Sequence, residues 1–236
     1  MSTVQFVLDG QAIEAQDGQT ILKAAEAAGV YIPHLCAFKD LIPHGSCRVC
    51  SVRVNGRIQA ACVQTVTAGA VVESETPEIL EFRRNIIDML FAEGNHFCMF
   101  CEKSGNCELQ ALAYRFGITS PRYDYLNPDR DIDMSHPDVY LDRNRCILCG
   151  RCVRVSQEVD HKTIFQFVGR GHEKRLQVNG TCLADTELSA TDEAVAACPV
   201  GALMPKRVGY AIPVGQRAFD AAPIGADVDA RKGGAA

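Results

Sequence analysis

The chain has 236 residues, of which 47% are hydrophobic and 22% are charged, as expected for a globular protein with a buried core. A formal net charge of -5, no tryptophan and only 7% aromatic residues argue against a nucleic-acid-binding protein, which would carry a basic patch and stacking aromatics. The unusual feature is the 12 cysteines.

The N-terminus and the hydropathy pattern indicate the compartment. Residues 1–10 lack the basic segment and long apolar run of a secretory signal. No stretch approaches the roughly 18 consecutive apolar residues that cross a bilayer. We therefore expect a cytoplasmic protein with no membrane and no nucleic-acid partner. Because cytoplasmic thiols stay reduced, the cysteines indicate metal or iron–sulfur binding rather than disulfides.

The first 76 residues predict a small mixed sheet crossed by one helix. Asp9-Gly10 and Asn55-Gly56 are strong hairpin signals, and Thr20 is a predicted N-cap of a helix that ends at Gly29. The predicted strands cover 3–8, 11–15, 51–54, 57–60 and 71–73. A helix followed by a loop with metal ligands is typical of a β-grasp ferredoxin, so we predict a [2Fe–2S] domain over 1–76.

Four cysteines of this domain have the pattern C-x10-C-x2-C-x11-C: Cys36, Cys47, Cys50 and Cys62. A [2Fe–2S] cluster needs four thiolates, and plant-type ferredoxins take three from one loop and one from later in the chain. The first spacing is longer here than the x4 of plant ferredoxins. A zinc site is the alternative, although zinc sites usually contain two close cysteine pairs and this set has one.

The next segment predicts a small helical domain over 77–118. Thr76-Pro77 is a typical helix start and Gly94 a helix stop, and a second helix is predicted over Glu108–Phe116. The motif H-x-C-x2-C-x5-C follows the first helix and contains His96, Cys98, Cys101 and Cys107. We predict a [4Fe–4S] cluster with His96 as fourth ligand. The alternative is a solvated histidine, with Cys182 or no residue as the fourth ligand.

Residues 119–137 predict a surface linker, because they contain three prolines and no periodicity. A third domain is predicted over 138–205, with strands at 163–168 and 174–178 and a short helix capped by Thr191. The last segment, 206–236, is rich in Gly, Pro and Ala and predicts a tail that docks on a partner. These elements place the chain in the α+β class.

The third cysteine set is the most specific motif in the chain. Cys146, Cys149 and Cys152 form C-x2-C-x2-C, and Cys198 is followed by Pro199. Bacterial ferredoxins take three ligands of a [4Fe–4S] cluster from such a triplet and the fourth from a remote Cys-Pro. We predict one such cluster in a bacterial-ferredoxin-like domain, and a free thiol without a redox role at Cys182.

The three sets, in this order, resemble the N-terminal region of the large iron–sulfur subunit of respiratory complex I and of NAD-linked formate dehydrogenases. A free-standing chain of this length resembles the diaphorase small subunit of soluble NAD-reducing [NiFe] hydrogenases. The runs that carry this resemblance are 31–33, 91–96, 101–105 and 206–210. In complex I the histidine stands four residues before its first cysteine, where this chain has Gly94. The hydrogenase and formate dehydrogenase branch shares the H-x-C spacing.

The resemblance implies an electron-transfer subunit without catalytic residues of its own. Its partners would be a flavin- and NADH-binding diaphorase large subunit, where FMN and NAD(H) bind, and a hydrogenase small subunit with its [NiFe] large subunit. The implied order of clusters is the Cys36 set, then the Cys146 set, then the His96 set. No nucleotide-binding glycine motif occurs in the chain, so we expect nicotinamide and flavin to bind in a partner subunit. The alternatives are the equivalent subunit of a formate dehydrogenase or complex I-like assembly, and a zinc-binding scaffold.

Overall fold

Five strands near the N-terminus form one mixed sheet in the order β2-β1-β5-β3-β4. The structure is a computed structural model, and it describes residues 2–39 and 41–233. Strand β1 pairs antiparallel with β2 and parallel with β5, and β3 pairs antiparallel with both of its neighbours. The strands are β1 Thr3–Leu8, β2 Gln11–Gln16, β3 Ser51–Val54, β4 Arg57–Ala60 and β5 Val71–Glu73.

The two predicted hairpin turns are present. Asp9 and Gly10 have φ of 50° and 81°, and Asn55 and Gly56 have φ of 47° and 82°. Two successive residues with positive φ form the turn whose twist matches that of paired strands. Helix α1 (Ile21–Ala27) begins where predicted, and the Thr20 hydroxyl accepts a hydrogen bond from Lys23 N at 3.4 Å. The buried face of α1 packs in the same core as the sheet.

Two helices follow the sheet. Helix α2 (Pro77–Glu93) begins at its predicted cap, where the Thr76 hydroxyl accepts a hydrogen bond from Ile79 N at 3.3 Å. Helix α3 (Glu108–Arg115) has Cys107 as its N-cap. The connection between them contains a single 3-10 turn, Cys98–Phe100. The ligand motif of the second set therefore lies between two helix ends.

The third region combines a small sheet, a hairpin and two helices. The sheet has the order β10-β7-β6, and β8 pairs antiparallel with β9. Two residues of the predicted linker form β6, which pairs with β7. The elements are β6 Ile132–Asp133, β7 Val139–Asp142, α4 Arg151–Glu158, β8 Phe165–Val168, β9 Arg175–Val178, α5 Glu193–Ala196 and β10 Leu203–Pro205, with 3-10 turns at Arg143–Arg145, Gly171–Glu173 and Leu183–Asp185.

The start of α5 differs from its prediction. The helix begins at Glu193 with Asp192 as N-cap, so the prediction that Thr191 is the cap was wrong. A residue of another segment does the capping, because the Asp160 carboxylate accepts hydrogen bonds of 3.0 Å from both Glu193 N and Ala194 N. A long-range contact of this kind leaves no local pattern in the sequence.

The described residues pack around two hydrophobic cores. One lies within the β-grasp sheet and α1. The other is shared by the predicted second and third domains, and it includes Val49 of the first cysteine loop and Ile224 near the C-terminus. The predicted domain boundaries stay predictions. No helix in 2–39 or 41–233 is long and apolar enough to cross a membrane.

The C-terminal segment packs against its own chain over the described part. It ends in α6 (Ala226–Asp229) and a 3-10 turn, Ala230–Gly233. Arg115 donates hydrogen bonds of 2.8 Å to the Ile224 carbonyl oxygen and to an Asp229 carboxylate oxygen. Phe219 N donates to the Gly105 carbonyl oxygen at 3.0 Å, which holds the segment against the second ligand loop. Docking of this tail on a partner stays a prediction.

Candidate iron–sulfur cluster sites

The structure brings the four cysteines of the first set together. Cys36, Cys47 and Cys50 lie in the loop between α1 and β3, and Cys62 follows β4. Cys36, Cys50 and Cys62 are buried, and Cys47 is half-buried. The side chain of Cys36 is hydrogen-bonded to those of Cys47 and Cys62, and Cys62 is also hydrogen-bonded to Cys50. The four sulfur atoms therefore form one continuous group.

Hydrogen bonds favour thiolate at part of this group. Donation from the side chains of Cys47 and Cys62 holds the pKa of Cys36 far below its usual value, and Ser46 adds a further hydrogen bond. The pKa values of the donors, Cys47 and Cys62, are raised by the same contacts. The surroundings of Cys36 therefore favour the thiolate, which is the form that binds metal.

A buried cation stands next to the first set. The Arg83 side chain on α2 is 2% exposed, and its Nη2 atom donates to the Ser51 carbonyl oxygen at 2.9 Å. Its charge helps to lower the pKa of Cys50, after the larger effect of the hydrogen bond with Cys62. Burial lowers the pKa of Arg83 itself to about 10, so the guanidinium remains charged at neutral pH.

The three cysteines of the second set line the short connection between α2 and α3. Cys98 begins the 3-10 turn, and Cys107 caps α3 by accepting a hydrogen bond from Gln110 N at 3.5 Å. Burial raises the pKa of Cys107 to about 12. Cys101 lies against Gly201, where an added Cβ would stand 2.7 Å from its sulfur atom. This loop therefore packs directly on the segment that follows Cys198.

His96 is buried with one ring nitrogen unpaired. Its ring is hydrogen-bonded to the Leu90 backbone and packs edge-on to Phe91, with ring centroids 5.4 Å apart. The Nε2 atom is buried and has no hydrogen-bond partner. Burial, followed by the nearby charge of Arg145, lowers the pKa of His96 to about 4. The imidazole is thus neutral with a free nitrogen, as a metal ligand requires. His96 and Cys98 line the same cavity.

The third set lines a single cavity. All four of its cysteines, Cys146, Cys149, Cys152 and Cys198, are in the wall, and the other lining residues are glycine, alanine or apolar side chains. Burial raises the pKa values of Cys146 to about 11 and of Cys149 to about 12. Four thiols in one apolar cavity stay protonated at neutral pH unless a positively charged group stabilises the thiolates. A coordinated metal is such a group.

Backbone N–H groups point at the sulfur atoms of the third set. The amides of Leu148, Arg151 and Val153 donate to Cys146, Cys149 and Cys152, respectively. Gly150 and Leu148 have positive φ, 73° and 53°, which turns the chain around the cavity. Such N–H···S hydrogen bonds stabilise thiolates and tune the potential of a bound cluster.

Backbone contacts join the second and third sites. Glu108 N, one residue after Cys107, donates to the Pro199 carbonyl oxygen at 2.9 Å. Asn95 N donates to the Asn144 carbonyl oxygen at 2.9 Å. The loops that carry the two predicted four-iron sites are therefore fixed relative to each other.

The donor sets fit iron–sulfur clusters. The first and third sets each offer four thiols, and the second set offers three thiols and the buried, unpaired imidazole nitrogen of His96, which lines the same cavity as Cys98. In 2–39 and 41–233, no three His, Cys, Asp or Glu side chains are arranged to hold a single metal ion. Cys182 stands apart from these sets, and its thiol donates to an Asp185 carboxylate oxygen at 3.5 Å.

Three arginines at the ligand loops were not predicted from the sequence: Arg83, Arg151 and Arg154. Each has an Nε atom that is buried without a partner, and each places its guanidinium at a ligand loop. The only sequence signal was the position of Arg151 and Arg154 within or next to the C-x2-C-x2-C motif. Arginine is rarely buried, so its burial here could not be inferred from residue type.

Family models match the three regions separately. A 2Fe-2S iron–sulfur cluster binding domain matches residues 1–77. The iron–sulfur binding region of NADH-ubiquinone oxidoreductase G matches residues 83–122. The ferredoxin-like domain of NADH-quinone oxidoreductase subunit 3 matches residues 136–204.

Whole-chain relatives decide the family. The gamma subunit of the NAD-reducing hydrogenase HoxS of Cupriavidus necator is 41% identical over 219 residues, which cover 92% of this chain and 94% of that protein. The chain belongs to the family of iron–sulfur subunits of NAD-reducing hydrogenases. A chain in the crystal structure of an NAD+-reducing [NiFe]-hydrogenase in the H2-reduced state is also similar to this chain. The TM-score is 0.93 and the identity 49%, and the match covers 98% of this chain and 99% of that chain.

Longer relatives contain the same region as one part. The G 2 subunit of NADH-quinone oxidoreductase from Rhizobium meliloti is 37% identical over 85% of this chain, but over only 24% of its own length. Membership of the hydrogenase family confirms the predicted α+β ferredoxin-like fold, the iron–sulfur cofactors and the electron-relay role. It also removes the zinc-scaffold alternative.

Proposed function

We propose that twelve residues hold three clusters as three separate ligand quartets. One [2Fe–2S] cluster would be bound by Cys36, Cys47, Cys50 and Cys62; one [4Fe–4S] cluster by His96, Cys98, Cys101 and Cys107; and one [4Fe–4S] cluster by Cys146, Cys149, Cys152 and Cys198. The hydrogen-bonded sulfur atoms of the first set, the unpaired Nε2 of His96 and the shared cavity of the third set support this assignment.

The proposed role is to relay electrons within an NAD-reducing hydrogenase of the cytoplasm. Electrons from H2 would pass through the clusters to a partner diaphorase subunit that binds FMN and NAD(H), in the overall reaction H2 + NAD+ → NADH + H+. A hydrogenase small subunit, in contact with the [NiFe] large subunit, would be the other partner. Identity across nearly the whole length of a hydrogenase subunit is the observation that carries this proposal.

The contacts between the ligand loops support the order of electron transfer. The third set has direct neighbours on both sides: Arg154 on α4 donates to the Cys36 carbonyl oxygen, and Glu108 N donates to the Pro199 carbonyl oxygen. We therefore propose that the third cluster lies between the first and the second, so that the His96 cluster is at the hydrogenase end. Electrons move between clusters in short steps, so successive clusters must lie next to each other in space.

The surface at the second site supports the position of a partner there. Phe97, Met99 and Phe100 lie inside the ligand motif, and their exposed fractions are 65%, 84% and 72%. Exposed apolar side chains that cluster together mark interaction sites on soluble proteins. We propose that the hydrogenase small subunit covers them and accepts or donates electrons at this end.

The chain's own residues would control the electron-transfer chemistry without taking part in bond making. Bound clusters would supply one-electron redox chemistry. The buried thiols hold the ligand geometry, the backbone N–H groups stabilise negative charge on sulfur, and the apolar wall of the third cavity excludes water. Nicotinamide and flavin would bind in the partner.

Metal analysis tests the ligand proposal. The full-length chain, purified without oxygen, should contain about ten irons, as the sum of two, four and four, with matching acid-labile sulfide. EPR of the reduced protein should give one two-iron and two four-iron signals. Stoichiometric zinc in place of iron, or a chain that takes up no iron on anaerobic reconstitution, would end the proposal.

Partner analysis tests the assembly. Gentle purification of the tagged chain from its own cells should recover a flavin-containing diaphorase subunit together with the two subunits of a [NiFe] hydrogenase. Recovery of a molybdenum-containing subunit would instead support a formate dehydrogenase. Recovery of membrane subunits would support a complex I-like assembly.

A further inference from the structure

We propose that Arg151 is a positioning residue that ties the three ligand loops together and raises the reduction potential of the third cluster. The inference rests on the ligand sets proposed above. It concerns a residue between two ligands of the third set, Cys149 and Cys152, that is not itself a ligand.

The Arg151 guanidinium contacts all three ligand loops. It forms a two-pronged ion pair with Glu108, with distances of 2.6 Å from Nη1 to Oε1 and 2.7 Å from Nη2 to Oε2. Glu108 follows Cys107 directly in the chain. The same guanidinium lies 5.1 Å from the centre of the Phe38 ring, two residues after Cys36. Its Nη1 atom also lies 3.5 Å from the carbonyl oxygen of Ala197, the residue before Cys198.

Stability alone does not account for a charge at this position. The Arg151 side chain is 2% exposed, and its Nε atom has no hydrogen-bond partner. Replacing a buried ion pair with well-packed apolar residues is often neutral or stabilising, because both charges lose their hydration when they are buried. Apolar residues at both 151 and 108 could therefore pack equally well, so stability alone does not require a charge at position 151.

The neighbours of this charge indicate its role. Arg151 interacts electrostatically with Cys149 and Cys198, in addition to Glu108. Reduction adds one electron to a cluster whose ligands are already anionic. A buried cation beside the cluster stabilises the reduced form and raises its potential, because attraction between charges is strong where water is excluded. Glu108 acts in the opposite direction and limits the effect.

Opposite charge changes at the two partners test the inference. Arg151→Gln removes the cation and should shift the equilibrium of the third cluster about tenfold towards the oxidised form, a fall of about 59 mV for one electron. Glu108→Gln removes the anion and should raise the potential of the same cluster. The measurement is a redox titration followed by EPR on the full-length chain carrying its clusters, with iron content determined for each variant.

Two further variants separate charge from structure. Arg151→Lys keeps the charge but loses the fork geometry, so it should keep the potential within about twofold in the equilibrium constant while lowering the thermal unfolding temperature. Arg57→Gln removes an equal charge from an exposed position of strand β4 and should leave the potential of the third cluster unchanged.

The outcomes distinguish this inference from the ligand proposal. Normal four-iron signals in the wild-type chain, with unshifted potentials in Arg151→Gln and Glu108→Gln, would overturn the role of Arg151 alone. Shifts of the same sign in both variants would indicate a purely structural role and would also overturn it. A wild-type chain without four-iron signals would overturn both proposals together.

Discussion

The Arg154 guanidinium donates a hydrogen bond of 2.5 Å to the carbonyl oxygen of Cys36, and a second one of 2.8 Å to the carbonyl oxygen of Ile42. Arg154 lies on α4, two residues after Cys152, whereas Cys36 begins the first ligand set. A single side chain from the third site therefore clamps the loop of the first site. The Arg154 side chain is half-buried, and both of its acceptors are backbone carbonyl oxygens.

Removing this clamp should weaken the first site selectively. Arg154→Ala leaves two carbonyl groups without their charged donor, and a hydrogen bond to a charged group contributes about 1.5–3 kcal/mol. We expect faster loss of the two-iron EPR signal during incubation, with both four-iron signals retained. Arg154→Lys, which keeps the charge but has a single donor nitrogen, should lie between the wild type and Arg154→Ala. Equal loss of all three signals would contradict a local role.

Asn144 should stabilise the connection between the second and third sites. Its Oδ1 atom accepts hydrogen bonds from Arg130 N at 3.0 Å and Asn95 Nδ2 at 3.3 Å, and its Nδ2 atom donates to the Arg130 carbonyl oxygen at 2.6 Å. Asn144→Ala should lower the free energy of unfolding by about 2 kcal/mol, because several partly buried groups lose their partner. Chemical denaturation measures this difference. Gln11→Ala, at an exposed position of strand β2, is the control and should cost less than about 0.5 kcal/mol.

The third ligand set should be separable from the first. Cys149→Ser replaces one of the four thiols that line the shared cavity. We expect one four-iron EPR signal to disappear and the iron content to fall by about four per chain, while the two-iron signal persists. Cys182→Ser is the matched control, since this thiol lies apart from the three sets and donates a hydrogen bond to Asp185, and it should leave every signal intact. Loss of the two-iron and four-iron signals together would argue against independent sites.

His96 is the proposed ligand that spacing alone defines least, and it is therefore the most informative to change. His96→Ala removes the unpaired Nε2 atom, so the second four-iron cluster should be lost or converted to a form with a different EPR spectrum and potential. His172→Ala removes an exposed imidazole and serves as the control. An unchanged four-iron signal with an unchanged potential in His96→Ala would contradict ligation.

Gly94 provides a second test of the same site. A Cβ atom at this position would stand 2.5 Å from His96 Nε2 and 3.0 Å from the Asn144 carbonyl oxygen. Gly94→Ala should therefore displace the imidazole and perturb the second four-iron signal in the same direction as His96→Ala. Gly117→Ala is a useful comparison, because a Cβ there would meet no atom within 4 Å, although its φ of 67° makes it strained. A normal second signal in Gly94→Ala would place the imidazole away from the cluster.

Local sequence patterns determined much of the fold and the whole list of candidate ligands. Thr20 and Thr76 cap the helices that they were predicted to cap, and the turns at Asp9-Gly10 and Asn55-Gly56 have the positive φ values that their residues favour. These features depend on neighbours within four residues, so the local sequence is enough to predict them. The cysteine motifs are of the same kind, because cluster ligands come mostly from short loops with fixed spacing.

Only the tertiary structure decided how the three ligand sets are arranged and what surrounds them. Asp160 caps α5 in place of Thr191, Arg154 reaches a loop 118 residues away, and Arg151 meets Glu108 across 43 residues. Such contacts arise when separate segments pack around a shared core, and no periodicity or spacing in the sequence encodes them. The sequence therefore names the candidate ligands, whereas packing decides which charges lie beside them.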